Sequence, residues 1–478
     1  MRFPDSVIPI GKSTKFARSV VARSVLNAVE SQREIDFSIS LRMRNFSELQ
    51  ARIQRGEVVP RAELASKYLP DPADYAKVVD WLAASGFTMK LPDKNYTTIF
   101  ARGSVAKIEE VFGVTFSRVA TSDGEFTSAV TAPALPTDQG LPLEAVLAIN
   151  GLQPHLRAHA KLSQSSLAQA VSQPIPGNPG FLAPVDISTA YNAPTGLTGT
   201  GQTIAIIIDA IPTSSDLNAF WTICGSSQQL SNFTVVNVAG GPTTAGALNL
   251  DLPEATLDVE WAGAIASGAA IRLYAIPSLS SNDIQTACVQ ILNDLPTVPT
   301  LNQVSISFGN AESQWAASSI QASAQTMAQL AAEGVTVFVA SGDGGSNPNT
   351  DGTNGYNPAN PLEVEYPASD PSVTGVGGTA LSLNQDGSVA TETAWGNSGG
   401  GISTVFTRPS WQIGSGVPAA PASGSAMRCV PDIAAVAANS GTLQSASGGM
   451  VVAQLESTFI ILNGTAQSFG GTSLSCPV

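Results

Sequence analysis

Between Gln202 and Gly345 the chain alternates short apolar runs with longer segments of helical spacing, and this alternation limits the possible folds more than any other feature. "QTIAIIIDA" reads as a buried strand, "PEATLDVEWAGAIASG" as a helix, "AAIRLYAI" as a strand and "SNDIQTACVQILND" as a helix. "QVSISFG" is again a strand, "SIQASAQTMAQLAAEG" a helix, and "VTVFVASGDGG" a strand ending in a glycine loop. Strands that are apolar throughout must be covered on both faces, and strands separated by helices are joined by crossovers. The expected fold class is therefore α/β, a mainly parallel sheet with helices on both faces. In such sheets the working site lies beyond the carboxyl ends of the strands, so the residues just after each strand are where chemistry is expected.

The part before this region differs in kind. Residues 1–180 hold 20 basic against 17 acidic residues, whereas residues 181–478 hold 3 (Arg272, Arg408, Arg428) against 20, giving balances of +3 and −17 within a total of −14. An almost base-free second half excludes nucleic acid as its partner and is relieved of self-repulsion in acid. In the first half "DPADYAKVVDWLAASGF" has helical spacing with Gly86 as a stop, "NYTTIFARG" is strand-like, and "SVAKIEEVFGV" places Val105, Ile108, Val111 and Phe112 on one face after a Ser104 cap. "TFSRVATSDGEFTSAV" reads as a hairpin turning at Asp123-Gly124. An α+β domain over 1–156 follows, then an exposed linker over 157–180, rich in Ser, Gln, Pro and Gly, then the α/β domain over 181–478. No apolar run approaches the roughly 20 residues of a membrane-spanning helix, so no membrane partner is expected. The start, "MRFPDSVIPIGKSTKF", lacks the apolar stretch of a secretory signal. Cys224, Cys288, Cys429 and Cys476 lie far apart and read as buried or free thiols.

Gly470-Gly471-Thr472-Ser473 reads as a glycine-bared turn presenting a hydroxyl nucleophile, and such a turn could open a helix whose N-terminal amides favour an oxyanion. A serine needs an adjacent base. The chain has only two histidines, His155 and His159, both in or beside the linker, and no lysine after Lys161. A Ser-His-Asp triad confined to the α/β half is thus impossible, which leaves carboxylates. Glu254 and Asp258 are four apart, just after Pro253 at a helix start, and project from one helical face. A like-charged pair avoids repulsion by sharing a proton, and its coupled titration leaves one member as base. For this spacing alone, the plainer reading is a solvated helix face with Glu260 as a third exposed acid. Asp343 sits in the glycine loop past a buried strand, where side chains reach a site, although alone it reads as a turn aspartate.

Together these residues resemble the sedolisin family, the serine-carboxyl peptidases, whose fold is subtilisin-like. "PEATLDVE" is similar to the family's Glu-x-x-x-Asp segment, "VSISFG" to its Ser-x-Ser-Trp-Gly strand and "ASGDGG" to its Ser-Gly-Asp loop; "YPASDPSVTGVGGT", "RCVPDIAAVA" and "GGTS" follow in order. The first half similarly resembles the family's activation propeptide, which implies an intramolecular inhibitor or chaperone. The resemblance implies Ser473 as nucleophile, Glu254 as general base and later acid, Asp258 as the residue orienting Glu254, and Asp343 as donor to the oxyanion. Asp343 donates only while protonated, which implies an acid-active endopeptidase acting on proteins or peptides through an acyl-enzyme. Phe308 stands where the family commonly has Trp, and Ile208 where some members have another Glu. The family also continues past the serine and closes a calcium site, whose ligands would lie beyond Val478, so the α/β domain is expected to be incomplete at its C-terminus and the chain as it stands inactive. An extracellular location is implied by the resemblance alone. Two alternatives remain open: a subtilisin-type peptidase, suggested by Asp209 in "IAIIIDA" but lacking a histidine, and a non-catalytic pseudo-peptidase or binding domain that retains the fold.

Overall fold

A computed structural model describes residues 1–10, 21–121, 124–160, 163–164, 181–194, 196–348, 357–384, 386–420, 422–439, 444–446, 449–451 and 457–478. Residues 161–162 and 165–180 of the expected linker, and Ser122-Asp123 of the expected turn, lie outside these.

The second half is built on an eight-stranded sheet. Its order is Phe233–Asn237, Ala270–Ala275, Thr203–Ile208, Leu301–Ile306, Thr336–Ala340 and Thr374–Leu383, the last pairing with both Val389–Ala394 and Ile433–Asn439. Every pairing is parallel except that with Val389–Ala394. All six residues of Thr203–Ile208 are buried, as a strand with neighbours on both edges and helices above and below requires. Burying each of its four isoleucines stabilises the fold by about 1.5–3 kcal/mol against leaving it in water. The helices Ser214–Ile223 and Leu252–Ile265 pack on each other and on the strand Ser457–Leu462, while Ser281–Asp294 and Ala317–Ala332 pack on each other. The expected run "QVSISFG" is two strands, Leu301–Ile306 and Phe308–Ala311, broken at Ser307. The break matters because the second piece leaves the main sheet and pairs antiparallel with Glu365–Tyr366 and His159–Ala160.

The first half has the expected α+β character. Thr88–Met89, Thr98–Ser104, Glu34–Leu41 and Val146–Asn150 form an antiparallel sheet. The helix Pro72–Ala84 starts on an Asp71 cap, and Val105–Phe112 on Ser104, whose hydroxyl accepts from Lys107 N–H at 3.2 Å. Gly86 and Gly113 follow these helices with φ of +85° and +59°. Phe116–Thr121 and Gly124–Ala129 form the expected hairpin. This half rests on the helices Ser281–Asp294 and Ala317–Ala332, and the contact runs largely through neutral groups. Gln325 accepts from Met43 N–H at 2.7 Å and donates to Leu41 O at 2.9 Å, Asn95 donates to Gln329 at 2.9 Å, and Asn293 donates to Pro92 O at 2.8 Å.

Candidate active site

Ser473 is delivered by a hairpin. Ser457–Leu462 and Thr465–Gly470 pair antiparallel through Asn463-Gly464, whose φ values of +52° and +73° suit the tight turn that Asn-Gly favours. Asp216 holds that turn by accepting from Asn463 N–H at 3.0 Å and Gly464 N–H at 2.8 Å. The two glycines that follow are required by space and by backbone. A Cβ on Gly470 would lie 2.4 Å from Ala437 O, and Gly471 turns the chain at φ +119° into the short helix Thr472–Ser475. Ser473 emerges fully buried.

The helix Leu252–Ile265 supplies what faces it. Ser473 Oγ donates to Glu254 Oε2 at 3.0 Å, and Ser307 Oγ, at the break between two strands, donates to Asp258 Oδ1 at 2.7 Å. Glu254 is 1% exposed and Asp258 0%. Glu254 Oε1 and Asp258 Oδ2 have no hydrogen-bond partner among the described residues, so the buried site calls for a proton on the pair. Burial, then the Asp258 charge, pushes Glu254 well above the usual carboxylate range, with the Ser473 hydroxyl pulling back. Burial likewise pushes Asp258 up to about 8, against the Ser307 hydroxyl. The two acids cannot both ionise cheaply, and a hydroxyl bonded to the one that does can pass it a proton.

Asp343 lies past the strand Thr336–Ala340, 3% exposed. Its Oδ1 accepts from Thr472 N–H and Thr472 Oγ at 2.9 Å each, and Gly342 N–H donates to the same hydroxyl at 3.1 Å. Asp343 is thereby tied to the residue before Ser473, close enough for its charge to act on Glu254. All four residues singled out in the sequence thus meet around one point at the carboxyl ends of the parallel strands.

Glu260 is not the exposed acid of the plainer sequence reading. It is fully buried, accepting from Ile461 N–H at 3.1 Å, because the strand Ser457–Leu462 covers that side of the helix. Trp261 Nε1 donates to Phe459 O at 3.0 Å and helps hold the same strand. Ser307 was missed by sequence reasoning; its signal was its position at the end of a parallel strand. His155 is remote, bonded to Ser128 Oγ at 2.8 Å, and burial lowers it to about 4. Phe308 and Ile208 are both fully buried. Among the described residues no group of three or more His, Cys, Asp and Glu side chains could hold a metal ion. No helix among them is long and apolar enough to cross a membrane.

A segment of the linker reaches this point. His159–Ala160 pairs antiparallel with Gly309–Phe308, and Ser163–Gln164 pairs antiparallel with Gly470–Phe469. Both partner strands border the site, one next to Ser307 and the other next to Gly471.

Residues 23–152 match the family described as "Pro-kumamolisin, activation domain". The chain is 31% identical over 469 residues to kumamolisin from Bacillus sp. (strain MN-32), covering 94% of this chain and 79% of that protein. It is 29% identical over 454 residues to sedolisin from Pseudomonas sp. (strain 101), covering 89% and 70%. A solved structure of Pseudomonas sedolisin, described as a serine-carboxyl proteinase complexed with two molecules of pseudo-iodotyrostatin, is 26% identical and covers 62% of this chain and 77% of its own, with a TM-score of 0.48.

Proposed function

This chain belongs to the sedolisin family of serine-carboxyl peptidases and carries the family's activation domain, and from that premise we propose that Ser473, Glu254, Asp258 and Asp343 do the chemistry. The observation that carries this reading is the 3.0 Å hydrogen bond from Ser473 Oγ to Glu254 Oε2 in a half of the chain without histidine. Ser473 Oγ attacks the peptide carbonyl carbon as its proton passes to Glu254. The tetrahedral oxyanion is met by the acid form of Asp343, whose Oδ1 is held by Thr472, so that a proton on its other oxygen donates. Glu254 returns the proton to the leaving amine, leaving an acyl-enzyme on Ser473, and a water activated by Glu254 then hydrolyses it. Asp258 orients Glu254 and shares its proton, while Ser307 fixes Asp258.

The need for a protonated Asp343 makes the enzyme acid-active. Residues 1–156 act as an activation propeptide, 157–180 as its linker and 181–478 as peptidase domain, in a protein that works outside the cell on protein or peptide substrates. The two pairs of linker residues bonded beside the site support a self-inhibited precursor. Digestion of casein at pH 4 by the full-length precursor, together with any residues that follow Val478, tests the assignment. Ser473→Ala abolishes hydrolysis, and Glu254→Gln lowers kcat by on the order of 10³-fold. Full activity in Glu254→Gln would remove Glu254 from the mechanism.

A further inference from the structure

The linker brings one basic side chain into the cleft. Residues 157–160 lie as an added strand between two backbone edges: Ala158 N–H donates to Leu279 O at 2.8 Å, Asn310 Nδ2 donates to Arg157 O at 3.0 Å, and His159–Ala160 pairs with Gly309–Phe308. From this strand the Arg157 guanidinium reaches Asp251, with Nη2 to Oδ2 at 3.7 Å. Asp251 stands at the start of the Leu252–Ile265 helix, three residues before Glu254. Beside it is Asp209, one residue past the central strand, 7% exposed and hydrogen-bonded to Asp251, with Oδ1 lacking a hydrogen-bond partner among the described residues. Asn249 fixes the corner by donating to Asp209 O at 2.7 Å.

Two carboxyls this close in a covered site need a cation or a shared proton. Burial, then Asp251, pushes Asp209 up to about 7, so in acid Asp209 keeps its proton and the guanidinium is left to Asp251. The domain that carries this pair has no cation to spare. Its three arginines are engaged elsewhere: Arg272 with Asp294, Arg408 with Pro418 O, and Arg428 with Asp432. When the linker departs, the pair loses its counter-charge and can regain one only from whatever peptide next occupies the cleft.

We propose that Asp209 and Asp251 form a specificity subsite that takes an arginine side chain of a peptide substrate, at the position Arg157 takes in the linker. The inference rests on the reading of Ser473 as a peptidase nucleophile with the linker lying in its substrate cleft. Arginine suits the subsite better than lysine because its planar fork can donate at once to the Asp251 carboxylate and to the carbonyl oxygen of protonated Asp209.

The activated enzyme is assayed at pH 4 with a quenched peptide of the linker sequence HLRAHAKLSQSS and with the same peptide carrying citrulline for arginine. The arginine peptide is expected to have a kcat/KM higher by about tenfold or more, expressed mainly in KM, as for a desolvated charge pair. In parallel, amide exchange of Ala158 is followed in the full chain carrying Ser473→Ala. Arg157→Gln speeds that exchange about tenfold, since the strand then lacks its ion pair to Asp251. The charge-swapped Arg157→Asp, Asp251→Arg double variant restores slow exchange, which a merely structural role for Asp251 does not predict. Equal kcat/KM for the two peptides, or unchanged Ala158 exchange in Arg157→Gln, overturns the subsite. If neither peptide is cut while the exchange pattern holds, the peptidase reading of Ser473 fails and the subsite stands.

Discussion

At the scale of single residues, Ser307 is the group through which the acid pair is tuned. Its hydroxyl is bonded to Asp258 Oδ1 at 2.7 Å and lowers a carboxyl that burial otherwise raises. Ser307→Ala therefore moves Asp258 above its value of about 8, and the upper limb of the kcat/KM pH profile, where the pair loses its last proton, moves upward with it. Activity at pH 4 falls by ~5-fold, the worth of one hydrogen bond of about 1 kcal/mol. Ser307→Thr keeps the hydroxyl and leaves the limb in place. An unshifted limb in the alanine variant would mean that Asp258 is tuned by something other than Ser307.

At the scale of elements, one helix and one hairpin form a single positioning unit. Leu252–Ile265 carries Glu254 and Asp258 toward Ser473 and, one turn on, uses Glu260 and Trp261 to hold the strand that leads to Ser473. Glu254 and Ser473 are thus referred to the same rigid body, as a site intolerant of about 1 Å errors needs. The hairpin's exit is the sensitive point. Gly470→Ala brings a Cβ to 2.4 Å from Ala437 O, a backbone atom that cannot swing away, and is expected to destabilise the fold by on the order of 2 kcal/mol. Urea unfolding in the Ser473→Ala background, which prevents self-digestion, measures this. A variant as stable as its parent would show that the strand can shift.

At the scale of the whole molecule, burial of acids sets the pH response. Burial pushes Asp209 and Asp370 up to about 7 and Asp258 to about 8. A carboxyl whose folded value is raised contributes stability that is fully present below its unfolded value near 4 and is lost as pH rises through the folded value. The chain is therefore expected to melt more than about 5 °C higher at pH 4 than at pH 8. His155 opposes this: its value, lowered to about 4 by burial, removes stability as pH falls from about 6.5, and it does so in the first half. A melting temperature that rises toward neutrality would show that the buried acids do not dominate the pH response. The opposite charges of the two halves imply an electrostatic union that acid weakens, but the contact runs mainly through amides and hydroxyls that do not titrate. The charged exceptions among the described residues include the ion pair of Arg61 with Glu333, that of Arg157 with Asp251, Lys94 Nζ donating to Asn293 O at 3.0 Å, and Asp283 facing Arg102 and Asp36. After cleavage at pH 4 the freed first half is expected to co-elute with the second on size exclusion. Separation on cleavage alone would make charge the stronger bond.

What the sequence by itself determined is the layered α/β half, the α+β half and the four side chains of the candidate site. The two halves rest on local periodicity and on caps such as Ser104 or Asp71, and the side chains on a count that left carboxylates as the only bases, joined to the resemblance to the sedolisin family. The spacing of Glu254 and Asp258 was legible because a helix converts four residues into one face. Only the tertiary structure decided the environment of those side chains. Glu260 has the composition of a surface acid and is buried because a strand some 200 residues later lies over it. Ser307 became a partner of Asp258 because the main sheet ends one residue before it. The partnership of Asp209, Asp251 and Arg157 joins three distant stretches of chain. Such meetings depend on how helices and strands stack, which no window of sequence contains, whereas an element's period and caps are written in its own residues.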